Sequence, residues 1–184
     1  MKYIIAILAT SLALTTQVFA ASATLEYQTI DNTTGTDQQN YNLTVRENFS
    51  SNLIADVQFS QTTNDIGPGT VQRLEVGLTP TYKTKYATFG SRFTVGEKYT
   101  TSQQYGYWSA NPFVAVPIAN PNLTAFAGWR YRAAFDTNYL DTTRTWRGGV
   151  QYALTKKDTV GVRYDRVQGD SDSKVWAFFY TRGF

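Results

Sequence analysis

The sequence predicts an all-β chain, an antiparallel up-and-down transmembrane barrel of about ten strands, with twelve or eight as alternatives. Three observations carry this reading. Apolar side chains recur at every second position in segment after segment, and the connections alternate between longer polar stretches and tight turns. The amino-terminal stretch has the make-up of an export signal.

In that stretch Lys2 precedes an apolar run over residues 3–14, and the sequence Val18-Phe19-Ala20-Ala21 places small residues where a signal peptidase reads them. The apolar run is too short to cross roughly 30 Å of hydrocarbon as a helix. Residues 1–20 are therefore expected to be a signal peptide cleaved after Ala20, and residues 21–184 a single outer-membrane barrel domain.

The strands follow in order. Residues 24–30 set Leu25 and Tyr27 against Glu26 and Gln28; residues 40–47 set Tyr41, Leu43 and Val45 against Asn42, Thr44 and Arg46. Residues 52–61 oppose Leu53, Val57 and Phe59 to Asp56, Gln58 and Ser60, and residues 71–78 oppose Leu74, Val76 and Leu78 to Arg73 and Glu75. In residues 86–95, Phe89, Phe93 and Val95 face away from Arg92 and Thr94. Residues 105–116 are ambiguous: Pro112 interrupts them and both faces carry aromatics, and Val114 and Val116 are assigned outward.

Residues 123–135 contain Gly128-Trp129-Arg130-Tyr131-Arg132, aromatic on one face and cationic on the other. Residues 145–154 separate Trp146, Val150 and Tyr152 from Arg147, and residues 159–167 separate Val160, Val162 and Tyr164 from Arg163 and Asp165. Residues 174–184 carry Trp176, Phe178, Tyr180 and Phe184 on one face.

A secreted β-sandwich would also alternate, with its apolar face turned inward. Here Tyr41, Phe59, Trp146, Tyr152, Tyr164 and Trp176 lie near the ends of the apolar faces, as the aromatic girdles of a membrane barrel require. Lipid tolerates only structures that satisfy their own backbone, and a closed barrel is one of the two that do.

The net charge of +3 comes from Lys and Arg scattered among acids rather than gathered in a patch, which argues against nucleic acid. There is no cysteine, hence no disulfide framework or zinc motif, and no histidine, hence no Ser-His pair, metal imidazole or ordinary base near neutral pH. No catalytic residue, metal or cofactor is expected.

If the apolar face meets lipid, the opposite face lines a lumen that holds Arg46, Arg73, Arg92, Arg130, Arg132, Arg147 and Arg163 against Glu26, Asp56, Glu75 and Asp165. Two readings stay open: each arginine neutralises an interior acid in a filled barrel, or the surplus makes a cationic passage that admits anions. The second is favoured, because the arginines outnumber the acids. Outward Arg144 and Arg166 near the loop side would either contact lipopolysaccharide phosphates or simply sit at the interface.

The segment from Tyr105-Gly106-Tyr107 through Asn111-Pro112-Phe113 to Gly128-Trp129-Arg130-Tyr131-Arg132 resembles the small monomeric outer-membrane porins for acidic sugars, the oligogalacturonate-specific and sialic-acid-specific family. Residues 23–27 and the strand pair over residues 71–95 are similar as well. The resemblance implies a bacterial outer-membrane porin whose facing arginines pass acidic sugars or small anions along the pore. It carries over to Arg130 and Arg132; the other five arginines are assigned by parity. Phe184, ending a strand aromatic at alternate positions, resembles the terminal signal of outer-membrane barrels that the barrel assembly machinery reads. The family barrel has twelve strands, so this chain would lack one hairpin. A closed barrel of structural or adhesive role is the alternative.

Overall fold

The computed structural model of the chain describes residues 21–33, 35–64 and 70–184. The expected signal peptide over residues 1–20 and the Ile66-Gly67-Pro68-Gly69 turn lie outside them.

Ten antiparallel strands form one closed sheet. They are β1 (Ala21–Asn32), β2 (Gln38–Ser50), β3 (Leu53–Asn64), β4 (Thr70–Lys83), β5 (Thr88–Tyr99), β6 (Gln104–Ile118), β7 (Asn120–Ala134), β8 (Thr143–Ala153), β9 (Asp158–Gly169) and β10 (Ser173–Gly183). Each pairs with its sequence neighbour, and β1 closes on β10 from Ser22↔Gly183 to Asn32↔Ser173. No strand edge is left without a partner, which is what a hydrocarbon environment demands of a sheet.

The alternation in sequence becomes an inside and an outside. Leu25, Leu43, Phe59, Val76, Leu78, Phe93 and Phe178 all point outward and are between 42% and 59% exposed. Buried side chains are instead dominated by polar ones such as Thr44, Ser60, Thr94, Ser109 and Thr145. A water-soluble sandwich would have the reverse distribution; an apolar exterior around a polar interior is solvated only by lipid.

Residues 100–103, 135–142 and 170–172 connect strands at one end. The other end has shorter turns, the shortest at Ala119, which takes φ 56° between β6 and β7. Short turns mark the periplasmic end of such barrels and longer loops the extracellular end.

The ambiguous strand is resolved by its neighbours. Tyr107 and Ser109 are buried in the lumen, so Val114 and Val116 point outward as assigned. Pro112 has no N–H to give to the ladder, and the β6–β7 register skips Asn111 and Pro112. With its amide turned so that nitrogen faces the Trp129 carbonyl, Asn111 donates there at 3.1 Å and accepts from Arg147 Nη1 at 3.2 Å. A luminal side chain thus replaces the hydrogen bond that proline removes.

Candidate functional site in the lumen

All seven arginines assigned to the lumen by parity, Arg46, Arg73, Arg92, Arg130, Arg132, Arg147 and Arg163, line one cavity of about 560 Å³. It opens between Gly35, Thr36, Leu140, Asp170 and Ser171 at the extracellular end. Alternate residues of a strand share a face, which is why charges from β2, β4, β5, β7, β8 and β9 converge on one space.

Two ion-pair clusters cross it. Arg92 Nε lies 3.0 Å from both oxygens of Asp56, its Nη2 is 2.5 Å from Asp56 Oδ1, and its Nη1 donates to Glu75 Oε2 at 2.9 Å. Tyr107 Oη donates to the other Glu75 oxygen at 2.9 Å. Across the barrel, Arg163 grips Glu26 with both terminal nitrogens, at 2.7 and 3.2 Å, and donates from Nε to Asp165 at 2.9 Å. Arg147 shares Asp165 at 3.5 Å, and Asn42 and Gln28 donate to Glu26 Oε1 at 2.7 and 2.5 Å. The guanidinium fork meets planar carboxylates here as its geometry allows.

A third cluster departs from the sequence reading. Asp141, in the loop of residues 135–142, turns inward, is 3% exposed and takes Arg132 Nη2 at 2.5 Å and Lys98 Nζ at 3.5 Å. This loop is more than a polar connection: Tyr139 stacks on Tyr105 at 4.4 Å and anchors it against the wall. The lumen also contains a lysine, Lys98, where arginines alone were expected. Its parity with Arg92 was readable; the sequence reading ended that strand too early to include it.

Among the described residues eight cations therefore face five carboxylates within the lumen, with Asp170 a sixth at its mouth. Arg46, Arg73 and Arg130 have no carboxylate partner among the described residues. Among the described residues Arg46 and Arg73 donate to threonine hydroxyls, Thr24 at 3.5 Å and Thr62 at 3.4 Å, and the Nε atoms of Arg73 and Arg130 are buried with no acceptor.

Towards the periplasmic end the lumen changes character. Phe113, Phe126 and Phe179 point inward, and each lies directly across from a glycine: Gly90, Gly149 and Gly161. A Cβ on those glycines would sit 2.6 Å from the Phe113 ring, 2.7 Å from Phe126 and 2.1 Å from Phe179. The missing side chains let the rings lie flat across the neighbouring strand, and Phe126 and Phe179 meet with centroids 6.3 Å apart. None of the three lines the arginine cavity. The site is a cationic cavity open to the outside, with three inward-facing rings on β6, β7 and β10 toward the periplasmic end.

No protein-family model matches the chain, and no curated protein matches it in sequence. Solved structures do match its fold. A KdgM porin in complex with disordered oligogalacturonate aligns with TM-score 0.53 at 11% identity, over 89% of this chain and 99% of the porin. An outer-membrane channel from Pseudomonas putida F1 aligns with TM-score 0.54 at 10% identity, over 91% and 96%. The β domain of the Bordetella autotransporter BrkA aligns with TM-score 0.51 at 12% identity, over 89% and 98%. With its closed ten-strand sheet and apolar exterior, the chain is a bacterial outer-membrane β-barrel.

Proposed function

We propose that this barrel is a narrow, anion-preferring outer-membrane channel whose lumen arginines guide small anions or acidic oligosaccharides, without cofactor or catalysis. The observation that carries the reading is the trio Arg46, Arg73 and Arg130, which face the lumen without carboxylate partners. A constriction with surplus charge of one sign, walled by low-dielectric material, raises the local concentration of the opposite ion. The aligned porin is described with an oligogalacturonate, a polymer of carboxylate sugars, which suits the same chemistry. The missing hairpin relative to that family's twelve strands narrows the passage. Phe184 serves as the terminal signal for barrel assembly, and residues 1–20 direct export.

The test is current through planar bilayers in a KCl gradient, read as the reversal potential. Anion preference is expected, and its decline in Arg130→Ala with Arg132→Ala. Cation preference, or a selectivity indifferent to those two replacements, would sink the arginine mechanism.

A second reading, a closed barrel of structural or adhesive role whose lumen stays sealed without the ring layer of Phe113, Phe126 and Phe179, is favoured by one observation: the ion pairs of Arg92 and Arg163 with Asp56, Glu75, Glu26 and Asp165 that fill the lumen. It expects no conductance even after that layer is removed.

A further inference from the structure

The lipid-facing surface near the extracellular rim is not uniform. Its outward cations, Arg144, Arg166 and Lys174, lie on the adjacent strands β8, β9 and β10. The register sets Lys174 beside Arg166, Arg166 beside Trp146, and Trp146 beside Trp129, a single row around the barrel. Cross-strand neighbours on one face stand about 5 Å apart, so the row is continuous. Arg144 lies two residues further toward the loops on the same face as Trp146. Beneath Arg166, Tyr164 packs on Trp176 with centroids 5.0 Å apart, and Trp129 and Trp146 are 6.5 Å apart.

No carboxylate pairs with any of the three cations among the described residues. Asp31 stands across from Lys174 in the register and does not bridge to it. Arg166 Nη1 is buried with no hydrogen-bond acceptor in the protein. A guanidinium donor held among tryptophans at the edge of the lipid belt is costly unless an acceptor comes from outside the chain.

We propose that this face binds a phosphorylated glycolipid of the outer leaflet. Arg166, Lys174 and Arg144 take its sugar phosphate, while Trp146, Trp129 and Trp176 take the upper acyl chains. Three features select that occupant over a protein partner. The cations lie toward the extracellular ends of β8, β9 and β10, aromatic side chains lie directly below them as at a membrane interface, and an arginine fork matches phosphate oxygens. The site lies on the outside of the barrel, so it is independent of conduction through the lumen.

The experiment is native mass spectrometry of the full chain released from detergent, titrated with bisphosphorylated lipid A and with its dephosphorylated counterpart. One bisphosphorylated glycolipid is expected to stay bound, and the dephosphorylated one to bind at least about tenfold more weakly. Arg166→Gln with Lys174→Gln is expected to weaken the phosphorylated lipid by a similar factor. Lys83→Gln with Lys156→Gln, at the opposite rim, leaves it unchanged.

Equal retention of both glycolipids overturns the proposal, as does equal loss in both pairs of variants. Inorganic phosphate that binds as tightly as lipid A overturns the assignment to a lipid. Should the Arg166 variant fail to close on a cold-detergent gel, the comparison of the two glycolipids on the unaltered chain decides.

Discussion

Arg92 and Arg130 are the same residue in the same lumen with opposite consequences. Arg92 neutralises Asp56 and Glu75, which are 4% and 5% exposed, so Arg92→Gln leaves two carboxylates buried without their cation. That loss is expected to cost about 3–5 kcal/mol, read as a lower midpoint in a urea titration of the closed barrel followed by gel mobility. Arg130 has no such partner, so Arg130→Gln should leave the midpoint within about 0.5 kcal/mol while moving the reversal potential toward zero. A destabilised Arg130 variant with unchanged selectivity would reverse the two roles. Parity alone put both arginines in the lumen. What it could not supply is their pairing, because Arg163 meets Glu26 across 137 positions of sequence and Asp141 arrives from a loop rather than a strand. Distant partners leave no periodic mark.

Strands were the most legible level, since lipid on one side and polar contents on the other impose a period of two on every crossing. Their lengths were less so. β4 runs to Lys83 and β5 to Tyr99, past the ends suggested by apolar alternation, because backbone pairing continues beyond the lipid belt where no apolar residue is demanded. Within the belt the demand is strict: Val76→Arg on the exterior of β4 should cost about 2–4 kcal/mol in the same titration, and a neutral outcome would remove that face from the membrane. The glycine and phenylalanine pairs are a second device of the element. Gly161→Ala drives a Cβ into the Phe179 ring and should destabilise by about 1–3 kcal/mol, and Phe179→Ala in the same chain should relieve part of it. Strict additivity of the two changes would mean the ring does not depend on that glycine. These pairs were hard to see beforehand because Phe179 sits between Phe178 and Tyr180, in a run aromatic on both faces.

Closure of the whole barrel sets the limit on what the lumen can do. Ten strands give a wall whose interior charges reach one another, so Arg92 on β5 reaches Asp56 on β3, Arg163 on β9 reaches Glu26 on β1, and both help fill the space that a wider barrel would leave open. The cavity keeps its surplus cations, and outside its lining, on β6, β7 and β10, Phe113, Phe126 and Phe179 present rings to the lumen where ions need water. Hydrophobic constrictions stop ions by losing water rather than by blocking every atom-sized gap, so under the proposed channel function the rings are expected to set conductance and the arginines selectivity. The two are separable by mutation. Replacing all three phenylalanines with alanine should raise unitary conductance well above that of the native barrel and leave the anion preference in place, because the cavity arginines are untouched. Unchanged conductance with the barrel still closed on a gel would mean that the ion pairs themselves seal the lumen, and the structural reading would then stand. A rise in conductance accompanied by loss of anion preference would instead place the selective step at the rings.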